Sequence, residues 1–267
     1  MKKRTCSLLL AVAMVLSLFP TYALADDAAE TAPDDAGTVQ QADSPWDLLD
    51  ANTEYYTDSF KANMGSGDSG SLSQETGYVN ILKGDDKSNT ASSSYTWMVN
   101  KESIDLPDTV FTVEASIRLA GPVEGDRTNE FSVRVDGTGK YFPIFLKYGT
   151  DDGGITNRGD FTEVEPVDTT QWHNYGMVID PATNHYKVYV DGELVLEQDS
   201  NWGLSGSDLI RLGADNKGRC DMDVQSVRAG TGDLSDELGP YDGSVEENPR
   251  LTSVTLSGYS QKEGEEQ

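Results

Sequence analysis

The sequence predicts an all-β fold, an antiparallel jelly-roll β-sandwich with disordered acidic segments at its amino- and carboxyl-terminal ends. Short runs of alternating apolar residues follow one another closely, and clusters of Gly, Asp, Asn and Ser separate them. Helical periodicity is scarce, apart from one candidate turn at 46–51. Many strands at short spacing without intervening helices indicate a sandwich or a barrel.

The amino terminus has the pattern of a secretory signal peptide, predicted over residues 1–25. Basic residues at 2–4 precede an apolar run at 8–19, and a small-residue pattern predicts cleavage after Ala25. The apolar run is too short for a permanent membrane span. We therefore expect a secreted, extracellular or cell-surface protein, with no membrane insertion of the mature chain.

Composition shifts predict the remaining boundaries. Residues 26–45 are rich in Asp and Ala and have no apolar periodicity, which predicts a disordered acidic linker. Residues 46–235 have the size of a single all-β domain. Residues 236–267 begin with turn-forming and acidic residues, and we expect a linker or tail there. Their one alternating stretch, 251–256, could instead open a further, truncated domain, because a lone strand is not stable.

Charge and cysteine content limit the partners. The chain has 46 acidic and 20 basic residues, a formal net charge of -26. Such a field repels nucleic acid and anionic membranes, so we expect neither as a partner. Of the two cysteines only Cys220 would remain after signal removal, so the fold must be stabilised by its core without an internal disulfide.

Apolar alternation bounded by turn residues predicts eleven strands within the domain. In the hairpin region, Asp-Gly at 191–192 supplies the two positive-φ residues of a type I′ turn. The predicted strands are 55–60, 77–82, 95–100, 110–119, 130–135, 141–148, 172–180, 185–190, 193–198, 209–213 and 222–228.

Five segments resemble the concanavalin A-like lectin/glucanase superfamily, in particular the laminin G-like and sialidase-associated jelly-roll domains of bacterial secreted proteins. They are FTVEASIRL at 111–119, QWHNYGMVID at 171–180, HYKVYVDGELV at 185–195, LIRLGADN at 209–216 and DMDVQSVRAG at 221–230. That superfamily includes lectins, carbohydrate-binding modules, glycoside hydrolases, lyases and protein-binding laminin modules. The resemblance therefore implies a fold and leaves the activity open.

The catalytic motifs of the superfamily are not found in the sequence. Its β-glucan hydrolases carry Glu-x-Asp-x-x-Glu on one strand, whereas the acid pairs at 163/165 and 221/223 lack a third member. Gln-Trp-His at 171–173 matches the Gln-x-His of alginate-lyase-like jelly rolls, but no Arg-x-Glu accompanies it. The sequence offers no oriented partner for His173 or His185, and no nucleophilic triad. These absences favour a module without catalytic activity.

Strand alternation predicts a polar sheet face with aromatic members, which suits sugar hydroxyls and sugar-ring stacking. The resemblance implies that such a face, concave in these jelly rolls, binds glycans. An ordinary solvated row of salt bridges is the alternative. The predicted ligand-binding residues are Glu114, Arg118, Arg134, Tyr141, Phe145, Lys147 and, from a rim loop, Trp202.

A structural Ca²⁺ is a further expectation from the resemblance, because many superfamily members hold one with carboxylates near their terminal strands. In a closed jelly roll, Asp58 of the first strand and Asp221 or Asp223 of the last would be adjacent. The loop at 151–154 is a second candidate. The alternative is that these acids belong only to a very acidic surface.

The sequence thus predicts a non-catalytic, lectin-like module that binds a glycan or polysaccharide. Its other partners would be further domains of a larger secreted or surface protein, such as a glycoside hydrolase. Two alternatives stay open, a glycan hydrolase or lyase with an atypical site and a protein-binding or spacer laminin-G-like module.

Overall fold

The computed structural model describes residues 44–49, 55–60, 71–75, 77–82, 95–100, 104–121, 128–135, 139–156, 164–200, 208–214 and 220–243. All of them belong to one compact unit, 42–267. The predicted signal peptide, almost all of the predicted linker at 26–45 and the chain after 243 lie outside the described residues. Within the described part, no helix is long and apolar enough to cross a membrane.

The described residues contain fourteen strands and one 3-10 turn, Ser235–Glu237. The strands are β1 (Tyr55–Phe60), β2 (Ser71–Glu75), β3 (Tyr78–Leu82), β4 (Tyr95–Asn100), β5 (Phe111–Ala120), β6 (Thr128–Val135), β7 (Lys140–Lys147), β8 (Gly154–Thr156), β9 (Val164–Pro166), β10 (His173–Asp180), β11 (His185–Val190), β12 (Glu193–Asp199), β13 (Leu209–Ala214) and β14 (Asp221–Thr231).

Two seven-stranded sheets form the sandwich, and every strand pair is antiparallel. Sheet A has the order β1-β4-β13-β6-β7-β8-β9, and sheet B has the order β12-β11-β10-β5-β14-β3-β2. The predicted all-β jelly-roll sandwich is therefore confirmed. All eleven predicted strands are present within two residues of their predicted ends or, for the last, three; β2, β8 and β9 were not predicted.

The core lies between the two sheets and is built by alternation within each strand. Phe111, Val113 and Ile117 of β5 face inward from sheet B, and Phe131 and Val133 of β6 face inward from sheet A. All five side chains are fully buried, and burying each such apolar side chain stabilises the fold by roughly 1.5–3 kcal/mol. This core holds the sheets together without a disulfide.

The hairpin β10–β11–β12 follows the turn chemistry of its sequence. Asp191 and Gly192 have φ of 51° and 82°, as the predicted type I′ turn requires. The Asp191 carboxylate also accepts hydrogen bonds from the backbone N–H of Asn174, at 3.0 Å, and of Tyr241, at 3.1 Å. The turn thus anchors a segment that follows the last strand.

Both flanking segments pack on the outer face of sheet B, which corrects the predicted boundary at 235. Leu238, with Trp46, Val178 and Tyr189, forms a second buried apolar cluster. The folded part of the chain therefore continues past 235. Residues 46–49 adopt no helix; Leu48 N–H instead donates to the Ala229 carbonyl at 3.0 Å.

Candidate functional site

The predicted ligand-binding face is divided between the two sheets. Glu114 and Arg118 lie on β5 in sheet B, whereas Arg134, Tyr141, Phe145 and Lys147 lie on β6 and β7 in sheet A. These two groups occupy opposite outer faces of the sandwich. The expectation of one continuous face was wrong, because alternation indicates which side of a strand faces outward and carries no information about which sheet the strand joins. Trp202 lies outside the described residues.

On sheet B, Glu114 forms an ion pair with Arg228, whose guanidinium lies against the ring of Trp46. Arg228 Nε donates to Glu114 Oε2, and the Arg228 guanidinium lies 4.0 Å from the centroid of the Trp46 ring. Burial raises the pKa of Glu114, although the hydrogen bond and charge of Arg228 oppose that shift. Trp46 and Arg228 cover this carboxylate, so it has a structural role in fastening the amino-terminal segment.

Arg118 is fixed in the same way by sheet B. Its Nε donates to Asp223 Oδ2 at 2.7 Å, and its guanidinium lies 4.9 Å from the Trp172 ring centroid and 5.4 Å from that of Tyr78. Trp172 in turn stacks on Tyr241 with 5.9 Å between ring centroids. The flanking segment at 232–243 thus packs against the aromatic surroundings of Arg118.

The three acids predicted to hold Ca²⁺ are not brought together. Asp58 pairs with Trp97 in the β1–β4 register of sheet A, whereas Asp221 and Asp223 lie on β14 in sheet B. Both oxygens of Asp223 are already engaged, Oδ1 by Asn80 Nδ2 and Oδ2 by Arg118. The expected adjacency of the first and last strands was wrong, because β1 is an edge strand of the other sheet.

The second candidate loop does not gather a ligand set either. Asp151 and Asp152 are exposed, and Asp152 Oδ2 lies 3.5 Å from Lys147 Nζ. Among the described residues, no group of three or more His, Cys, Asp or Glu side chains could hold a metal ion.

The outer face of sheet A carries a compact set of polar side chains, which we call the arginine cluster. It consists of Glu130, Ser132 and Arg134 of β6, Tyr141 of β7 and Arg211 of β13. In the register, Arg211 is opposite Ser132, and Arg134 is opposite Tyr141. Glu130 and Arg134 therefore flank Ser132 on its own strand, diagonally across from Arg211.

Arg211 is oriented by two neighbours within the cluster. Its Nη2 lies 3.3 Å from Glu130 Oε1 and donates to the Tyr141 hydroxyl oxygen at 3.3 Å. Its guanidinium carbon is 5.4 Å from the centroid of the Tyr141 ring, in cation–π range. Glu130 is only 2% exposed, so this ion pair is formed by a buried carboxylate.

Three buried polar atoms of the cluster have no hydrogen-bond partner among the described residues. They are Ser132 Oγ, Arg134 Nε and Arg211 Nε, the last in a guanidinium whose Nη2 is engaged by Glu130 and Tyr141. Burial lowers the pKa of Arg134, and the nearby positive charge of Arg211 lowers it further against the opposing effect of Glu130. The register places the two arginines diagonally across the β13–β6 pair, where their positive charges repel each other.

Tyr141 and Phe145 were predicted to be exposed platforms for sugar stacking, and this was wrong. They are 2% and 4% exposed, so neither ring offers a free face. Tyr141 instead positions Arg211. Lys147, at the end of β7, forms with the described residues only the long ion pair to exposed Asp152.

Glu130 and Arg211 were not predicted as site residues. Alternation at 209–212 does indicate that Arg211 points outward, because its neighbours Ile210 and Leu212 are buried in the core. The order of strands in sheet A, which puts β13 beside β6, has no such local signal. The clustering could be recognised only from the fold.

Comparison with known proteins agrees with this architecture. A laminin G family model, described as the Concanavalin A-like lectin/glucanases superfamily, matches residues 73–236. The chain belongs to this superfamily. The resemblance stated from the sequence is thereby confirmed. The search of curated proteins found no match.

Several solved structures are similar to this superfamily member at low identity. The metal-free carbohydrate recognition domain of Emp46p is 11% identical, covering 68% of this chain and 89% of its own, with a TM-score of 0.40. That of Emp47p is 14% identical, covering 71% and 96%, with a TM-score of 0.41. The catalytic domain of a glycoside hydrolase family 131 protein from Coprinopsis cinerea is 17% identical, covering 62% and 74%, with a TM-score of 0.39.

Both histidines of this superfamily member have acidic partners that the sequence did not indicate. His173 Nδ1 lies 2.6 Å from Asp191 Oδ2, and its Nε2 lies 3.0 Å from the Asp168 carbonyl oxygen. His185 lies on the surface, within 2.8 Å of both Asp199 and Glu197. In each histidine both ring nitrogens are engaged by the protein itself, which is the pattern of a structural residue.

Proposed function

We propose that the protein is a non-catalytic, extracellular carbohydrate-binding module that holds a saccharide against the outer face of sheet A. One observation carries the proposal: Ser132 Oγ and Arg134 Nε are buried side by side without partners among the described residues. More than nine in ten buried polar groups in proteins are hydrogen-bonded. We infer that Ser132 Oγ and Arg134 Nε are hydrogen-bonded by hydroxyl groups of a ligand when one is bound.

The backbone spacing of Asp58 and Glu130 on sheet A disfavours two-carboxylate hydrolysis by this pair. Two-carboxylate hydrolysis requires carboxyl groups about 5–9.5 Å apart. The register aligns Asp58 with Trp97, Trp97 with Gly213 and Gly213 with Glu130, so three strand spacings separate the backbones of the two acids. At about 4.8 Å per spacing the separation is roughly 14 Å. Glu130 is in addition engaged by Arg211.

The sequence supports the extracellular part of the proposal. The signal-peptide pattern at 1–25 is that of an exported protein, and an acidic chain is well solvated outside the cell. A glycan is a ligand available there. The segments at 26–45 and after 243 suit the attachment of this module to further domains of a secreted or surface protein.

A glycan array probed with the full chain, with chromatography of the released products, tests the proposal. We expect binding without product release. Ser132→Ala should weaken binding about tenfold, the equivalent of one net hydrogen bond, without loss of stability. Ser226→Ala is the matched control, because Ser226 lies on sheet B, bonded to Ser116 at 2.8 Å, and its loss should leave binding unchanged.

Two other outcomes of the array experiment would favour the alternative functions. Release of shortened saccharides would overturn the non-catalytic assignment and indicate a hydrolase or lyase. An array without any binding, from protein shown to be folded by circular dichroism, would overturn carbohydrate binding and favour a protein-binding or spacer role.

A further inference from the structure

Resting on the proposed function, we infer that the saccharide bound at the arginine cluster carries a carboxylate, held jointly by Arg134 and Arg211. The ligand class is an acidic sugar, such as a uronic acid or a sialic acid. Three features of the cluster favour this class: how its arginines are paired, the unpartnered Arg134 Nε and the geometry of guanidinium groups.

The described arginines of the two sheets differ in how they are paired. On sheet B, Arg118 binds the buried carboxylate of Asp223 and Arg228 binds that of Glu114, one cation to one anion. On sheet A, Arg211 binds the buried carboxylate of Glu130, whereas Arg134 Nε has no partner among the described residues. Arg134 is therefore the arginine without a carboxylate of its own among the described residues, in a chain of net charge -26.

A half-buried guanidinium beside a second one destabilises the free protein, because desolvation and like-charge repulsion both oppose it. This destabilisation arises at Arg134. It has no hydrogen-bond or ion-pair partner among the described residues, whereas Arg211 is oriented by Glu130 and Tyr141. An anion from outside would remove the repulsion and satisfy Arg134 at once.

The chemistry of guanidinium favours a carboxylate as that anion. Arginine presents its N–H groups in a planar fork that matches the two oxygens of a carboxylate, and charge-assisted bonds are about twice as strong as neutral ones. The register places Arg211 directly opposite small Ser132 and Arg134 two residues along the strand from Ser132, diagonally across from Arg211. A sugar carboxylate between them would accept from both, with ring hydroxyls near Ser132 Oγ.

Calorimetric titration of the full chain with matched saccharides tests the inference. The pairs are an oligogalacturonate against the galactose oligomer of the same length, and sialyllactose against lactose. We expect at least one acidic member to bind at least tenfold more tightly than its neutral match at low salt. Its affinity should fall as ionic strength rises. Equal affinities within each pair would overturn the carboxylate and leave the proposed function standing. No binding by any member would overturn the inference as well, and the glycan array then decides the proposed function separately.

Variants at Arg134 separate recognition from structure. Arg134→Gln should weaken binding of the acidic sugar at least tenfold, and Arg134→Lys, which keeps the charge and loses the fork, should do so less. Lys187→Gln, which removes one charge from sheet B, is the matched control and should leave binding unchanged. Without ligand, Arg134→Gln should keep or raise the melting temperature, by about 2 °C for each 0.5–1 kcal/mol of relieved repulsion. A lowered melting temperature with unchanged affinity would overturn the inference.

Discussion

Arg211 Nη2 lies 3.3 Å from Glu130 Oε1 across the β13–β6 pair, and Glu130 is almost fully buried. This contact holds the centre of the outer face of sheet A. It also sets the direction of the Arg211 guanidinium, which leaves Arg134 as the cation available to a ligand. The cluster therefore contains the Arg211–Glu130 ion pair with Arg134 beside it. Substitutions at Glu130 and at Arg134 should therefore change stability in opposite directions.

Glu130→Gln should be strongly destabilising. It leaves the half-buried Arg211 guanidinium without its buried carboxylate partner, and breaking a buried ion pair in this way costs up to about 3–5 kcal/mol. Urea denaturation at pH 7 measures the change. Glu193→Gln, at an exposed position of β12, is the control and should stay within about 0.5 kcal/mol of the parent chain. A similarly small effect for Glu130→Gln would mean that the cluster is not charged as described.

The His173–Asp191 pair should make stability depend on pH. The hydrogen bond between the two side chains raises the pKa of His173 above 6.5 in the folded state. A raised pKa means that this stabilisation is fully present below about pH 6.5 and is lost as pH rises through the folded-state value. Burial alone would raise the pKa of Asp191, but hydrogen bonds from His173 and from backbone N–H groups lower it below 3.8. The contribution of Asp191 is therefore present above pH 3.8 and lost in stronger acid.

Denaturation of His173→Asn at several pH values checks this expectation. Its loss of stability relative to the parent chain should be largest between about pH 5 and 6.5 and smaller at pH 9. His185→Asn is the control, because exposed ion pairs contribute only about 0–1 kcal/mol. A loss for His173→Asn that does not vary with pH would contradict the assigned pair.

Leu238→Ala should loosen the segment that follows the last strand. Leu238 is buried against sheet B, where a Cβ added to Gly176 would lie 2.7 Å from Leu238 Cδ1. Truncating a buried leucine costs about 2–5 kcal/mol. Leu194→Ala, at a leucine 51% exposed, should change the free energy of unfolding by no more than about 0.5 kcal/mol. Equal effects of the two substitutions would show that the segment does not contribute to folding.

Asp223→Asn should destabilise the protein to the same extent in calcium and in chelator. Its carboxylate is neutralised by Arg118 Nε at 2.7 Å, so the substitution removes an ion-pair partner and no metal ligand. Thermal melts in both buffers measure the difference between variant and parent. A deficit that appears only when calcium is present would restore Asp223 as a ligand.

Local features of the fold could be predicted from the sequence. Alternation gave the strands that carry the core, and Asp191-Gly192 gave the hairpin turn with both φ values positive. The three short strands that were not predicted include β8 and β9, of three residues each, where alternation has too few positions to be visible. The order of the strands within each sheet, in contrast, depends on contacts between residues far apart in the sequence.

The site shows the same division between local and distant information. Arg134 was predicted because its own strand alternates, but its partners Arg211 and Tyr141 come from β13 and β7. Glu114 and Arg118 alternate equally well, yet sheet B and the flanking segments use them for structure. Outward direction could be predicted, whereas burial by later parts of the chain, as at Tyr141, could not.

The most direct test of the proposed site is a crystal structure of the protein with the saccharide selected by the glycan array. We expect electron density for the sugar on the outer face of sheet A, within hydrogen-bond distance of Ser132 Oγ and the Arg134 guanidinium. A saccharide bound instead to sheet B, or away from both arginines of the cluster, would contradict it.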